Sequence, residues 1–167
     1  MATIDFATLA GQNGSPSGWA GAGRGAHYVE VEVDFAEATT AKGSALAASD
    51  VIQVIDIPAK SVVFGAGFEV MSAMTGTSTD LTLDMGITGG DVDAWVDGFD
   101  MDAASVGAMP AMAAGATIPL VFATADTIDI LIASQTGTFT GGKIRVWAYI
   151  LDAKGYTSAP GRAALGS

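Results

Sequence analysis

The chain has 167 residues, half of them hydrophobic and only 15% charged, with a formal net charge of −11. This length fits one domain with a sizeable core, and the hydrophobic content excludes a disordered chain. There is no Cys, so disulfides and thiolate metal sites are excluded. The seven Lys and Arg residues are scattered, and an acidic surface repels anionic lipid, so we expect neither a nucleic-acid nor a membrane partner.

Residues 1–26 form the first unit of the chain. The run "GQNGSPSGWAGAGRGA" is rich in Gly and Ser and has no hydrophobic period, which predicts a flexible N-terminal arm. Trp19 and Arg24 stand out in it. They either anchor the arm on a partner, as aromatic and Arg side chains do at interfaces, or belong to a disordered terminus.

The pattern changes at His27, where "HYVEVEVDF" alternates strictly between two kinds of side chain. His27, the three valines and Phe35 fall on one face, and Tyr28 with the acidic residues falls on the other. A period of two with one hydrophobic face predicts a half-buried β-strand with solvent on its acidic side.

Further strands follow at short intervals. They are predicted in "DVIQVIDI", "SVVFGAGFEVMSA", "DLTLDMGI", "DVDAWVD", "TIPLVF", "DTIDILIAS" and "GKIRVWAYILD". Gly65 and Gly67 inside the second of these suggest a bulge or a close crossing. In the last strand Trp147 and Tyr149 fall on the outer face, where exposed aromatic side chains are typical of contact with a second layer or a neighbouring subunit.

Two uncharged or Ala-rich stretches compete with the strand assignment. Residues 103–125 carry no charge and are long enough to span a bilayer, but they contain Pro110 and Pro119 and few large aliphatic residues, so we expect a loop followed by a strand. Segments 36–49 and 103–114 are the only helix candidates. Both lack an amphipathic stripe, and we expect no helix.

About eight strands with turn-rich spacing predict an all-β antiparallel sandwich of the jelly-roll type. The predicted organisation is an N-terminal arm over residues 1–26, a β-sandwich domain over 27–152 and a C-terminal tail over 153–167.

Six aspartates lie between Asp84 and Asp102 in the stretch "DMGITGGDVDAWVDGFDMD". The spacing fails the EF-hand pattern, because Trp95 and Val96 occupy the positions of a ligand and the Gly. A different calcium site would use Asp91, Asp93 and Asp97. The alternative, which we favour, is a solvated acidic loop with no bound metal. A general acid and a general base would need two carboxylates in different environments, and nothing in this run indicates such a pair.

Three segments resemble small structural proteins of tailed bacteriophages, especially aquatic and cyanobacterial phages. They are "VIQVIDIPAKSVVFGAGFEVMSA", "LTLDMGITGGDVDAWVDGFDMDAA" and "ADTIDILIASQTGTFTGGKIRVWAYILD". The resemblance covers roughly residues 27–152. It implies a capsid decoration, or cement, protein that binds the major capsid protein on the outer surface of the virion, often as a homotrimer. Such a protein needs no active site and no cofactor. The resemblance identifies no individual contact residue; in the C-terminal tail, Tyr156 and Arg162 either serve with Trp19 and Arg24 as contact residues or belong to a frayed end.

Two other functions remain open from the residues alone. One is a carbohydrate- or ligand-binding β-sandwich module, with Trp95 or Trp147 as the exposed aromatic platform and calcium held by the aspartate loop. The other is an enzyme, which we do not expect because a catalytic His27, the only histidine, would need a nucleophile and an orienting acid beside it in space, and the sequence gives no sign of either.

Overall fold

The computed structural model describes residues 3–5, 26–87 and 89–152, with residues 3–5 described through their backbone alone. The strands are β1 (Thr3–Asp5), β2 (His27–Asp34), β3 (Val51–Ile57), β4 (Ser61–Gly76), β5 (Asp80–Gly86), β6 (Val96–Asp100), β7 (Leu120–Phe122), β8 (Asp126–Thr136) and β9 (Phe139–Asp152), and one helix, α1 (Phe35–Lys42), follows β2.

The strands form two sheets. One has four strands in the order β2-β9-β4-β7, and the other has five in the order β1-β3-β8-β5-β6. Without β1, the eight strands β2–β9 pair antiparallel in the arrangement of a jelly roll, which confirms the predicted fold class. The strand β1 extends the second sheet by pairing parallel to β3, with Thr3 opposite Val51.

The core lies between the sheets and is filled by the alternate residues that the sequence pattern assigns to it. In β2 and β9 the buried residues face each other in register, with Val31 opposite Val146 and Val33 opposite Ile144. Across the sandwich Phe68 of β4 meets Phe99 of β6 edge to face, with ring centroids 5.1 Å apart. Fully burying a side chain of this size contributes about 1.5–3 kcal/mol, so this interdigitated layer is the main source of stability.

The helix α1 is absent from the sequence-based prediction, which was wrong at this point. Its local signals are its two ends: Asp34 Oδ1 accepts a hydrogen bond from the Ala36 N–H at 2.8 Å, and Gly43 ends the helix with a φ of 76°. Phe35 and Ala38 are buried, and Phe35 packs edge to face on Phe139 at 5.5 Å. Because a two-turn helix buries only these two residues, its sequence shows no clear amphipathic pattern.

The predicted strand "DVDAWVD" is also displaced. The chain turns over residues 91–95 and enters β6 only at Val96. The Asp91 carbonyl accepts hydrogen bonds from the N–H groups of Ile87, at 2.9 Å, and Ala94, at 3.4 Å. Gly86 permits this turn, because a Cβ there would lie 2.2 Å from the Asp91 carbonyl oxygen.

The uncharged stretch 103–125 is a loop that leads into β7, as predicted. In the part of the chain that the structure describes, no helix has the length and hydropathy needed to cross a bilayer.

The end of β2 gives a test of how α1 is held. Burial alone would raise the pKa of Asp34, but hydrogen bonds from Lys143 and from the N–H groups of Ala36 and Glu37 lower it below the ordinary Asp value. We expect Asp34→Ala to lower the free energy of unfolding at pH 7 by about 0.5–2 kcal/mol, the typical cost of losing such a cap.

Asp34→Asn is the matched control, because an amide oxygen still caps the helix. Since the folded-state pKa is lowered, the ionised carboxylate stabilises the fold above the unfolded-state pKa of about 3.9 and loses this effect as the pH falls through the folded-state value. Urea unfolding at pH 7 and near pH 3 measures both. Equal loss in the Ala and Asn variants would contradict the capping role.

Candidate interaction surface

The acidic loop between β5 and β6 is built around Asp84, which is nearly buried at the end of β5. Its Oδ1 accepts a hydrogen bond from the Gly98 N–H at 2.7 Å. Burial raises the pKa of Asp84, and the negative charges of Asp97 and Asp93 raise it further, while the Gly98 bond opposes the shift. This carboxylate therefore fixes the turn of β6 against β5 rather than facing a ligand.

The three candidate metal ligands do not converge. Asp91 and Asp93 share a side-chain hydrogen bond, which is the main reason why the pKa of Asp91 is raised. Asp97 lies on the exposed side of β6. Within residues 26–87 and 89–152, no three His, Asp or Glu side chains are grouped so that they could hold a metal ion.

Asp84 predicts an unusual pH dependence. Because its pKa is raised by folding, its ionisation destabilises the folded state, and this penalty develops as the pH rises above the unfolded Asp value of about 3.9. We expect Asp84→Asn, whose amide oxygen can still accept from Gly98, to unfold at higher urea than the wild type at pH 7. The difference should shrink as the pH falls toward 4.

The comparison variant is Asp84→Ala, which leaves the Gly98 N–H without its acceptor; it should cost about 1–3 kcal/mol near pH 4 and less at pH 7, where it also removes the ionisation penalty. Urea unfolding between pH 4 and pH 8 provides the measurement. An Asn variant less stable than the wild type at pH 7 would refute the assignment.

The outer face of the four-stranded sheet carries exposed hydrophobic side chains on all four strands. Tyr28 of β2 lies opposite Tyr149 of β9, with ring centroids 6.4 Å apart. Phe64 lies in the bulge of β4 beside them, and Val121 of β7 lies opposite Val62 of β4. We call Tyr28, Tyr149, Phe64 and Val121 the hydrophobic row; each is between 45% and 68% exposed.

The other half of the same face is charged. Lys143 of β9 bridges Glu32 and Asp34 of β2 at 3.0 and 3.1 Å, and Arg145 lies 3.9 Å from Glu69 of β4. These pairs are substantially solvent-exposed and contribute little stability individually. The hydrophobic row is therefore the least polar part of this face, and an exposed hydrophobic patch is typical of an interaction surface.

Trp147 lies between the row and the charged half. It pairs with Gly67 of β4, and a Cβ at position 67 would lie 2.7 Å from its Cζ2 atom. The indole therefore lies flat over a glycine and is half-buried, although its strand position points outward.

This contact predicts that Gly67→Ala displaces the Trp147 ring and destabilises the protein by about 1–3 kcal/mol, the usual cost of overpacking. Gly65→Ala is the matched control in the same strand, because a Cβ there has open space within 4 Å. Urea unfolding monitored by tryptophan emission measures both. Equal stability of the two variants would show that Trp147 can move without cost.

Of the contact residues expected from the sequence, the structure brings Trp147 and Tyr149 to one face. Trp19, Arg24, Tyr156 and Arg162 lie outside the described residues. Sequence reasoning missed the other members of the row. The alternation in "HYVEVEVDF" could have revealed Tyr28, because it puts this residue on the outer face. The positions of Phe64 and Val121 depend on a bulge and on a three-residue strand, which no sequence pattern indicated.

The proposed aromatic platform at Trp95 was wrong. Trp95 is fully buried, its backbone N–H donates to the Met85 carbonyl at 3.0 Å, and its carbonyl accepts from the Ala113 N–H at 2.8 Å. It enters the core because the turn at 91–95 reverses the chain just before β6. A residue so placed cannot stack on a carbohydrate ring.

No family model matches the chain, and no curated protein matches it. Its fold is similar to that of two solved structures. A chain in the capsid of Ralstonia phage GP4 is 19% identical, with a TM-score of 0.58 over 90% of this chain and 98% of that one. A chain in the capsid asymmetric unit of cyanophage Pam1 is 18% identical, with a TM-score of 0.53 over 84% and 97%. At these identities the similarity establishes a shared fold.

Proposed function

We propose that this protein is a non-enzymatic structural protein of a tailed-phage virion and that it decorates the outer surface of the capsid as a cement protein. The observation that carries the proposal is the hydrophobic row, which spans four strands of a rigid sheet in a protein of net charge −11. The shared fold with chains of two phage capsids and the resemblance of residues 27–152 to phage structural proteins support the same function.

The partner in this proposal is the major capsid protein. A large hydrophobic side chain contributes about 1.5–3 kcal/mol when it passes from full exposure to full burial. Because the side chains of the row are roughly half exposed, burying them against the shell contributes about 1 kcal/mol each. One copy therefore binds weakly, and several joined copies would bind well.

A homotrimer supplies the necessary multivalency. Once one copy of a trimer is bound, the other two are held at high effective concentration near their own sites, so the overall affinity exceeds that of a single copy by orders of magnitude. Contact through the arms alone would be poor, because ordering a chain costs about 1–2 kcal/mol per residue in backbone entropy. A rigid sheet face avoids that cost. No bound metal or cofactor is part of this function.

The proposal predicts that the full-length chain binds purified capsids of the phage that encodes it and that imaging of intact heads places it on the outside at three-fold positions. Tyr28→Asp and Tyr149→Asp should each weaken capsid binding by at least about tenfold, because each puts an unpaired charge into the buried row. A chelator should leave binding and the melting temperature unchanged.

Val92→Asp is the matched control. Val92 is an exposed hydrophobic residue in the acidic loop, away from the row, and its substitution should leave capsid binding intact. The proposal fails if the chain is absent from the heads, or if the control weakens binding as much as the two tyrosine variants do.

A further inference from the structure

The segment between β6 and β7 differs from the rest of the surface. Residues 103–125 carry no charged side chain in a chain with 18 acidic residues. Four of its large hydrophobic side chains, Val106, Met109, Met112 and Ile118, are between 43% and 66% exposed. We call these four residues the apolar flank. Interface centres are depleted in charge and enriched in Met, so this composition is typical of a contact surface.

The flank is held in place by backbone hydrogen bonds. The Gly107 N–H donates to the Val70 carbonyl at 2.8 Å, and the Val70 N–H donates to the Ala108 carbonyl at 2.9 Å, which ties the segment to the edge of β4. The Ala113 N–H donates to the Trp95 carbonyl at 2.8 Å. The exposed methionines therefore sit on a fixed backbone, and covering them costs little conformational entropy of the main chain.

A pocket of about 80 Å³ opens beside the flank. It lies at the edge of β4 between two paired stretches, because β7 pairs only as far as Val63 and the Gly107–Ala108 bonds begin at Val70. Met109, Met112 and Trp147 line it together with Trp95. The indole N–H of Trp95 is buried and has no hydrogen-bond partner among the described residues. The pocket walls are therefore mainly apolar, and the buried Trp95 indole lies behind them.

The charge of the chain indicates which partner fits this surface. A basic partner would be attracted to the acidic parts of the molecule and would gain nothing from a charge-free flank. A second copy carries the same net charge of −11, so it can approach closely only through a surface without charges, where like carboxylates do not oppose each other. Around a rotation axis this condition is strict, because residues near the axis face copies of themselves.

We propose that the apolar flank is the surface through which copies of this chain associate, with an apolar side chain of the neighbouring copy inserted in the Trp95 pocket. The flank joins copies to each other, whereas the hydrophobic row contacts the capsid. This division of surfaces rests on the proposed oligomeric decoration protein, but the association itself is measured without any capsid.

The test is sedimentation velocity of the purified full chain over a range of protein concentrations at low and high salt. The wild type should associate with increasing concentration, and more strongly at high salt, because salt screens the repulsion between the acidic copies. Met109→Asp and Met112→Asp should raise the dissociation constant at least about tenfold, because each would bury an unpaired charge. Val92→Asp, outside the flank, should associate as the wild type does.

A second readout does not depend on variants that carry a buried charge. The chain has no Cys, so Met112→Cys places a single thiol in the flank and Val92→Cys places one in the acidic loop. A short bis-maleimide reagent should link copies of the Met112→Cys protein and leave the Val92→Cys protein unlinked. The proposal is overturned by a wild type that stays monomeric at all concentrations, or by cross-linking that does not distinguish the two positions.

The result separates from that of the proposed function. Tyr149→Asp should weaken capsid binding and leave self-association unchanged. Met112→Asp should weaken self-association, which is measured without any capsid. A wild type that binds capsids as a monomer would refute the flank proposal and the proposed homotrimer, and would leave only the decoration role standing.

Discussion

The pairing of β4 with β9 is the interaction on which the rest of the structure depends. These are the longest strands, of 16 and 14 residues, and they form the centre of the four-stranded sheet. Their inward residues fill one side of the core, and their outward residues carry Phe64, Trp147 and Tyr149. One pairing therefore fixes both the stability of the sandwich and the geometry of its outer surface.

The bulge in β4 at Val63–Gly65 links these two roles. An extra residue in one strand shifts every later side chain to the opposite face relative to a regular ladder. In β4 the shift keeps Ala66, Phe68 and Val70 in the core and leaves Phe64 outside, next to Tyr149. Gly67 then lies beneath the Trp147 indole, where no Cβ fits. The exposed aromatic cluster is thus a consequence of how the core is packed.

The distribution of charge completes this division of the surface. Carboxylates concentrate in the β5–β6 loop and along the outer side of β2, and residues 103–125 have none. Within the acidic loop the turn is held by the Asp84–Gly98 hydrogen bond and by Gly86, with no convergence on a metal among the described residues. Acidic regions favour solubility, and the contacts that we propose fall on the regions without charge.

The sequence by itself determined the fold class, because alternation at every second residue is a local property: the pattern alone assigns Val31, Val33, Ile130, Ile144 and Val146 to the core and puts Tyr149 outside. It could not place Phe64 next to Tyr149, or Val121 opposite Val62 on the same sheet, since these positions depend on a bulge and on which strands pair across the chain. It also misplaced Trp95, because the turn at 91–95 returns the chain to β5 through backbone hydrogen bonds that side-chain patterns do not encode. The tertiary structure alone decided which outward residues meet, because contacts between strands distant in the chain are set by packing and register.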